Sequence, residues 1–261
     1  MKRMRTFLVA KQNMLYPVGY LGAVLRELLF FWRKKQTALR VLVMQIFFTG
    51  VEAVATIALI SLLIGAIIII QGVALLPQFG AQDVMYTMLI LVITRELGPL
   101  LTAFIVAARS GSAIATELGN MVVAHEVEAY VTVGIDPISF LAIPRVIGVT
   151  TSLLGLIIYF NIFGLLGSYA VVQIFNDLPF DEYLYNLATQ VGVWDMLAPI
   201  LKALAFGLII GTVSTYYGFQ VNRASTEVPQ KTIKAIGNSI TMCIAANAVI
   251  TILSYTVGAG G

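Results

Sequence analysis

Five stretches of this 261-residue chain, 54–76, 84–108, 146–175, 196–219 and 235–257, are apolar over lengths that match a lipid bilayer. A hydrocarbon core about 30 Å thick takes roughly 20 apolar residues per helix, so each stretch is expected to cross it once. The composition agrees: 59% of residues are hydrophobic and 11% charged, where a water-soluble domain carries about 25% charged residues. The expected fold class is an all-α integral membrane protein with five transmembrane helices and an N-terminal interfacial helix. Residues 1–52 read as a cytoplasmic or interfacial region, and residues 53–261 as the five-span domain.

The basic residues set the orientation of the spans. Nine of the sixteen precede the first span, Arg109 and Arg145 flank the segment between spans two and three, and Arg223, Lys231 and Lys234 lie between spans four and five. The loops on the other side carry Asp83, Asp177, Asp181, Glu182 and Asp195 and no basic residue. By the positive-inside rule the N-terminus is expected in the cytoplasm and the C-terminus outside, in the periplasm if there is one. Ahead of the first span, Val18, Leu21, Leu25, Leu28 and Trp32 recur at helical spacing beside Arg26, Arg33, Lys34 and Lys35. That pattern suits a helix lying on the inner membrane surface or one packed against the bundle. The basic N-terminus lacks an apolar core long enough for a signal peptide, since only residues 7–10 are apolar before Lys11. The third span, uncharged from 146 to 176, would be about 45 Å long as a helix and must tilt, bend or project.

Two basic residues break the rule by lying inside spans. Arg95 stands next to Glu96 at the midpoint of span two, and Lys202 lies within span four. A charge at that depth costs about 2.5–3.5 kcal/mol on insertion scales and usually marks a pathway. Adjacent helical residues point about 100° apart, so Arg95 and Glu96 should find separate partners. Lys202, roughly 10 Å deep against roughly 20 Å for Glu96, is the natural partner for the carboxylate. A plain salt bridge between spans two and four is the simpler alternative to a functional site. Gly98 and Pro99 follow at once, and Pro99 cannot donate to the Arg95 carbonyl, so the helix should bend or open beside the charges. Backbone freed at such depth must be covered by protein or face a wet cavity. Arg95, Glu96, Gly98 and Pro99 thus read as a cavity wall.

The segment 109–145 is expected on the cytoplasmic side. Ala107, Gly111, Ala115 and Gly119 fall four apart and place small residues on one helical face, most simply for close helix packing. A short helix over 124–133 is expected to stop at Gly134 and at Asp136-Pro137. Glu126 and Glu128 cannot share one face of it, whereas Val127 and Tyr130 can. A mixed helix at a cytoplasmic bend suits docking to a soluble partner. The stretch "TEVPQK" precedes span five on the same side.

Catalytic chemistry is not indicated. The chain has no Gly-Lys step and hence no P-loop, no G-x-S-x-G, and one histidine, His125, which excludes H-E-x-x-H. No metal, cofactor, catalytic residue or nucleic-acid partner is expected, and the energy for any active transport must come from another chain. Cys243, the sole cysteine, is expected as a small buried residue.

"TRELGPLLTAFIVAARSGSAIATELGNM", then "EVEAYVTVGIDPISFLAIPR", with "GAIIIIQG" in span one and "KALAFGLIIGTVSTYYG" in span four, closely resembles the MlaE-type permeases. These are membrane subunits of ABC transporters that work with MCE lipid-binding proteins. The resemblance implies a homodimer in a bacterial inner membrane, with a cytoplasmic ATPase dimer that binds the ATP and an MCE protein on the outer face. It implies a lipid cavity lined or braced by Arg95, Glu96, Leu97 and Lys202. It also implies a coupling helix at about 124–134, with Glu126, Val127, Glu128, Tyr130, Gly134, Asp136 and Pro137 at the ATPase contact. Phospholipid is the expected cargo. Two other readings are an ion-coupled secondary transporter with Glu96 as coupling group, disfavoured because the spans show no matching halves, and a non-transporting scaffold.

Overall fold

The computed structural model describes residues 17–30, 38–75, 85–175, 179–222 and 224–258, and among these there are helices and short connections but no strand. In chain order the helices are α1 (Pro17–Phe30), α2 (Ala38–Leu75), α3 (Met85–Val123), α4 (Glu126–Thr132), α5 (Ile143–Phe175), α6 (Phe180–Gln190), α7 (Val193–Phe219) and α8 (Glu227–Gly258). Among the described residues, five helices (α2, α3, α5, α7 and α8) are long and apolar enough to cross a membrane, in agreement with the five expected spans. Trp32, Arg33, Lys34, Lys35, Asp83, Asp177 and Arg223, with residues 1–16 and 259–261, lie outside the described residues.

Three of the spans are longer than their apolar cores. α2 starts at Ala38 and runs through Glu52 without a break; the Arg109 guanidinium, 3.9 Å from the Glu52 carboxylate, offsets the charge at which the span had been expected to begin. α3 continues past Arg109 to Val123. α8 begins at Glu227, so most of "TEVPQK" is helix. The Glu227 carboxylate accepts the Asn222 N–H at 2.9 Å and closes the turn ahead of it. At 33 residues, α5 is about 50 Å long, longer than a hydrocarbon core is thick.

Glycines bring the spans together. A Cβ on Gly65 of α2 would strike the Gly164 carbonyl of α5, and one on Gly167 would strike the Leu62 carbonyl. Without those side chains the two backbones touch, the close approach that small residues permit in membranes. Gly111 meets Ser214 of α7 and Gly119 meets Val228 of α8, while Ala107 and Ala115 are buried, as expected for a packing face. Phe160, Phe206, Ile93 and Leu153 are fully buried where α2, α3, α5 and α7 converge.

α1 is packed against the bundle along one face. Tyr20 and Val24 are fully buried against Ile138, Ile143 and Val146, and the Tyr20 hydroxyl donates to Thr215 Oγ1 at 2.8 Å; burial pushes this phenol's pKa well up. Leu21 and Leu25 point outward. At the opposite end of the bundle α6 was not anticipated. Its Asp181 and Glu182 stand in the first turn, where acids favour the helix dipole. It is anchored by buried Tyr183, whose hydroxyl lies 2.6 Å from Ser168 Oγ.

Candidate functional site

The charged cluster is built on an irregular stretch of α3. From Ile90 to Leu97 the helix widens into a π-helix, and the Gly98 N–H reaches back to the Ile93 carbonyl. The cause is local. Pro99 has no N–H for the Arg95 carbonyl, while Gly98 before it keeps a right-handed helical backbone, φ −55°. Inserted π-turns of this kind are frequent at functional sites. A second one, Ala107–Gly111, follows along the same helix.

Lys202 of α7 takes the place of the missing donor. Its ammonium donates to the Arg95 carbonyl at 2.6 Å and to Glu96 Oε2 at 3.0 Å, and the side chain is 1% exposed. The expected Lys202–Glu96 pair therefore exists, with the proline-freed carbonyl as a second acceptor. Glu96 also accepts from Asn247 Nδ2 at 3.0 Å and Thr251 Oγ1 at 3.0 Å, both on α8.

Arg95 turns to other partners, as its spacing from Glu96 requires. Its Nη1 lies 3.4 Å from Asp195 Oδ1 at the start of α7. Nη2 donates to Ser254 Oγ at 3.2 Å, and the guanidinium carbon sits 4.9 Å from the centre of the Tyr255 ring, within cation–π range. Two charge pairs of opposite polarity thus join α3 to α7, and hydrogen bonds to Asn247, Thr251 and Ser254 tie in α8. Arg95 Nε and Asn247 Oδ1 are buried without a hydrogen-bond partner, so the network has spare polar capacity. Leu97 is half-buried beside it, and Gly98 and Pro99 are buried. Among the described residues, no group of His, Cys, Asp and Glu suits a metal ion.

Asp195, Asn247, Thr251, Ser254 and Tyr255 were not singled out from the sequence. Asn247, Thr251 and Ser254 follow an i, i+4, i+7 spacing that puts one polar stripe on an otherwise apolar helix, and that spacing is a readable signal.

The second group of expected residues surrounds α4. His125 adopts a left-handed backbone, φ 60°, which ends α3 and starts α4 at a corner; Gly134, φ 81°, ends the turn after α4. Val127 points inward and is buried, while Glu126 and Glu128 are exposed. Tyr130 is half-buried with its ring 5.3 Å from that of Phe140. Asp136 Oδ2 accepts the Ser139 N–H at 3.2 Å, and Pro137 is buried at the start of the next turn. The large apolar side chains left open here are Val133, 72% exposed, and Ile135, 38%. His125 is exposed beside Glu128 at 3.1 Å. Inside the corner, buried Arg145 donates to Glu117 at 2.8 Å and to the Leu141 carbonyl at 2.7 Å.

Comparison with known proteins gives a consistent result. The family model "Permease MlaE" matches residues 42–253. A probable ABC transporter permease protein of Rickettsia typhi is 31% identical over 249 residues, 95% of this chain and 89% of that protein. A probable ABC transporter permease protein of Rickettsia prowazekii is 32% identical over 219 residues, 84% and 85% of the two chains. The intermembrane phospholipid transport system permease protein MlaE of Haemophilus influenzae is 25% identical over 218 residues, 83% and 84%.

Proposed function

This chain belongs to the MlaE permease family, and from that premise we propose that it moves phospholipid as the membrane subunit of an ABC-type transporter. In this reading it works as a homodimer with a separate cytoplasmic ATPase pair and an MCE lipid-binding protein on the outer face of a bacterial inner membrane. The observation that carries it is the Arg95–Glu96–Lys202 network, a set of buried charges at a break in α3. An arrangement so costly in a membrane is retained where it contributes to a pathway. The spare polar atoms, Arg95 Nε and Asn247 Oδ1, would meet a headgroup or its water, and Leu97 would touch an acyl chain. The ion-coupled alternative is disfavoured because Glu96 is engaged by a lysine, an asparagine and a threonine and the spans show no matching halves.

Force from the ATPase would enter at α4. Val127 and Tyr130 anchor that helix to the bundle, and Glu126, Glu128, Val133 and Ile135 offer the outward surface. The Gly134–Pro137 turn and the Arg145–Glu117 bond would pass the displacement to α3 and α5. The π-turn at Ala107–Gly111 lies between that contact and the charge network.

The test is lipid transfer from vesicles containing the complete complex to an acceptor protein. Glu96→Gln is expected to lower ATP-dependent transfer about tenfold, equivalent to ~1.4 kcal/mol of lost interaction, while the complex still assembles. Unchanged transfer would remove the network from the pathway. Val133→Asp, measured by pull-down and by ATPase stimulation, is expected to weaken ATPase binding by about tenfold through loss of an apolar contact worth ~1–2 kcal/mol. Equal recovery of the ATPase with the variant would move the contact elsewhere.

A further inference from the structure

A cleft between α2 and the α4-side half of α3 lies apart from the charge network. It has a volume of about 360 Å³, inside the range of roughly 300–1,000 Å³ typical of small-molecule sites. Gln45, Phe48, Thr49 and Glu52 of α2 line one side, and Arg109 and Glu117 of α3 the other. Arg109 lies about 20 Å along α3 from Arg95, where the helix changes from apolar residues to Ser110, Ser112 and Thr116. That is the level of lipid headgroups, not of the hydrocarbon centre.

The charges in this cleft are only partly used. Arg109 Nη1 donates to the Glu52 main-chain carbonyl at 2.8 Å and to Thr56 Oγ1 at 3.2 Å, whereas its Nη2 stands 3.9 Å from the Glu52 carboxylate, too far for a hydrogen bond. The Glu52 carboxylate is 55% exposed on a helix long and apolar enough to cross a membrane. On the same stretch of α2, Phe47, Phe48 and Val51 are exposed, a surface suited to acyl chains.

We infer that this cleft holds the headgroup of a phospholipid bearing a primary amine, with its phosphate on Arg109 and its ammonium between Glu52 and Glu117. An anion alone would face the Glu52 carboxylate, and a cation alone would face Arg109; Glu117 already gives one oxygen to Arg145 at 2.8 Å and offers its other, so a headgroup carrying both charges matches the cleft. A quaternary ammonium is recognised by a cage of aromatic faces, and Phe48 is the one aromatic ring lining the cleft. A primary ammonium instead donates hydrogen bonds to carboxylates. The lipid would lie in the leaflet on the α4 side, the cytoplasmic leaflet in the orientation proposed above, remote from the Arg95 network. This second lipid site does not require that the chain transport lipid, so a negative transfer assay would leave it standing.

The experiment places a photo-crosslinking amino acid at Ala113, which lines the cleft, in the full chain held in nanodiscs of phosphatidylcholine with a minor fraction of phosphatidylethanolamine. Preferential crosslinking to phosphatidylethanolamine is expected. Glu52→Gln keeps the main-chain carbonyl that Arg109 uses, and should cut that preference about tenfold, the worth of one hydrogen bond to a charged group. Arg109→Ala should reduce crosslinking to both lipids. Equal labelling of the two lipids in the unmodified chain, or a preference unmoved by Glu52→Gln in a variant of unchanged melting temperature, would reduce the cleft to a site of annular lipid and overturn the inference. A crosslink to a second copy of the chain would overturn it too, by making the cleft a protein interface.

Discussion

Lys202→Met is expected to destabilise the fold by about 3 kcal/mol, and lipid transfer should fall with it. Removing one member of a buried ion pair costs about 3–5 kcal/mol because the partner charge is left behind. The low end applies because the Glu96 side chain is 27% exposed and regains some solvation. A second loss adds to the first: the Arg95 carbonyl loses the ammonium that now serves it at 2.6 Å, and Pro99 cannot replace it. Methionine fills the lysine stem's space with a flexible apolar chain, so the deficit reports charge and hydrogen bonding, not a void. Thermal unfolding in micelles measures it. Adding Glu96→Gln should recover part of the stability by removing the stranded carboxylate, yet transfer should stay low. A single variant as stable as the parent would mean that the ion pair is solvated and holds nothing together.

Gly65→Val should be comparably severe by a different route. The new Cβ would meet a main-chain carbonyl, that of Gly164, and not a side chain able to rotate away. Overpacking costs about 1–3 kcal/mol where neighbours can adjust; here α2 and α5 must separate along their contact, so about 3 kcal/mol is expected, with loss of folded protein on detergent extraction. Gly155→Ala is the control. It lies on α5 with open space around its Cβ position, and should change the melting temperature little. Equal behaviour of the two variants would show that backbone contact is not what joins α2 to α5.

Much of this architecture was readable because bilayer physics leaves few options. Apolar length gave the five spans, and the solitary positions of Arg95, Glu96 and Lys202 pointed to a shared buried site. The missing N–H of Pro99 announced that α3 would open. What escaped notice depends on partners far away in the chain. Glu52 looked like the edge of a span, since nothing near it in sequence offsets its charge; the arginine that does so is at position 109. Asn247 and Thr251 are uncharged, so although their spacing marks a polar stripe on α8, their service to Glu96 is visible only when the helices are brought together. The direction of Val127 follows from the left-handed corner at His125, a conformation that no neighbouring residue type demands. α6 is short, and its register is set by one tyrosine that finds Ser168.

The bond from Lys202 to the Arg95 carbonyl also ties the inheritance of two positions together. A lineage that exchanged Pro99 for a residue with an N–H would supply that carbonyl from its own helix and relax one of the two demands on position 202, leaving the Glu96 carboxylate as the other. One that lost Lys202 first would carry two orphaned acceptors, the Arg95 carbonyl and the Glu96 carboxylate, of which a change at Pro99 repairs only the first. The order of substitution is therefore asymmetric: proline can leave first at modest cost, whereas lysine cannot. Among descendants of such a chain, loss of the lysine without prior loss of the proline should be the rarer history.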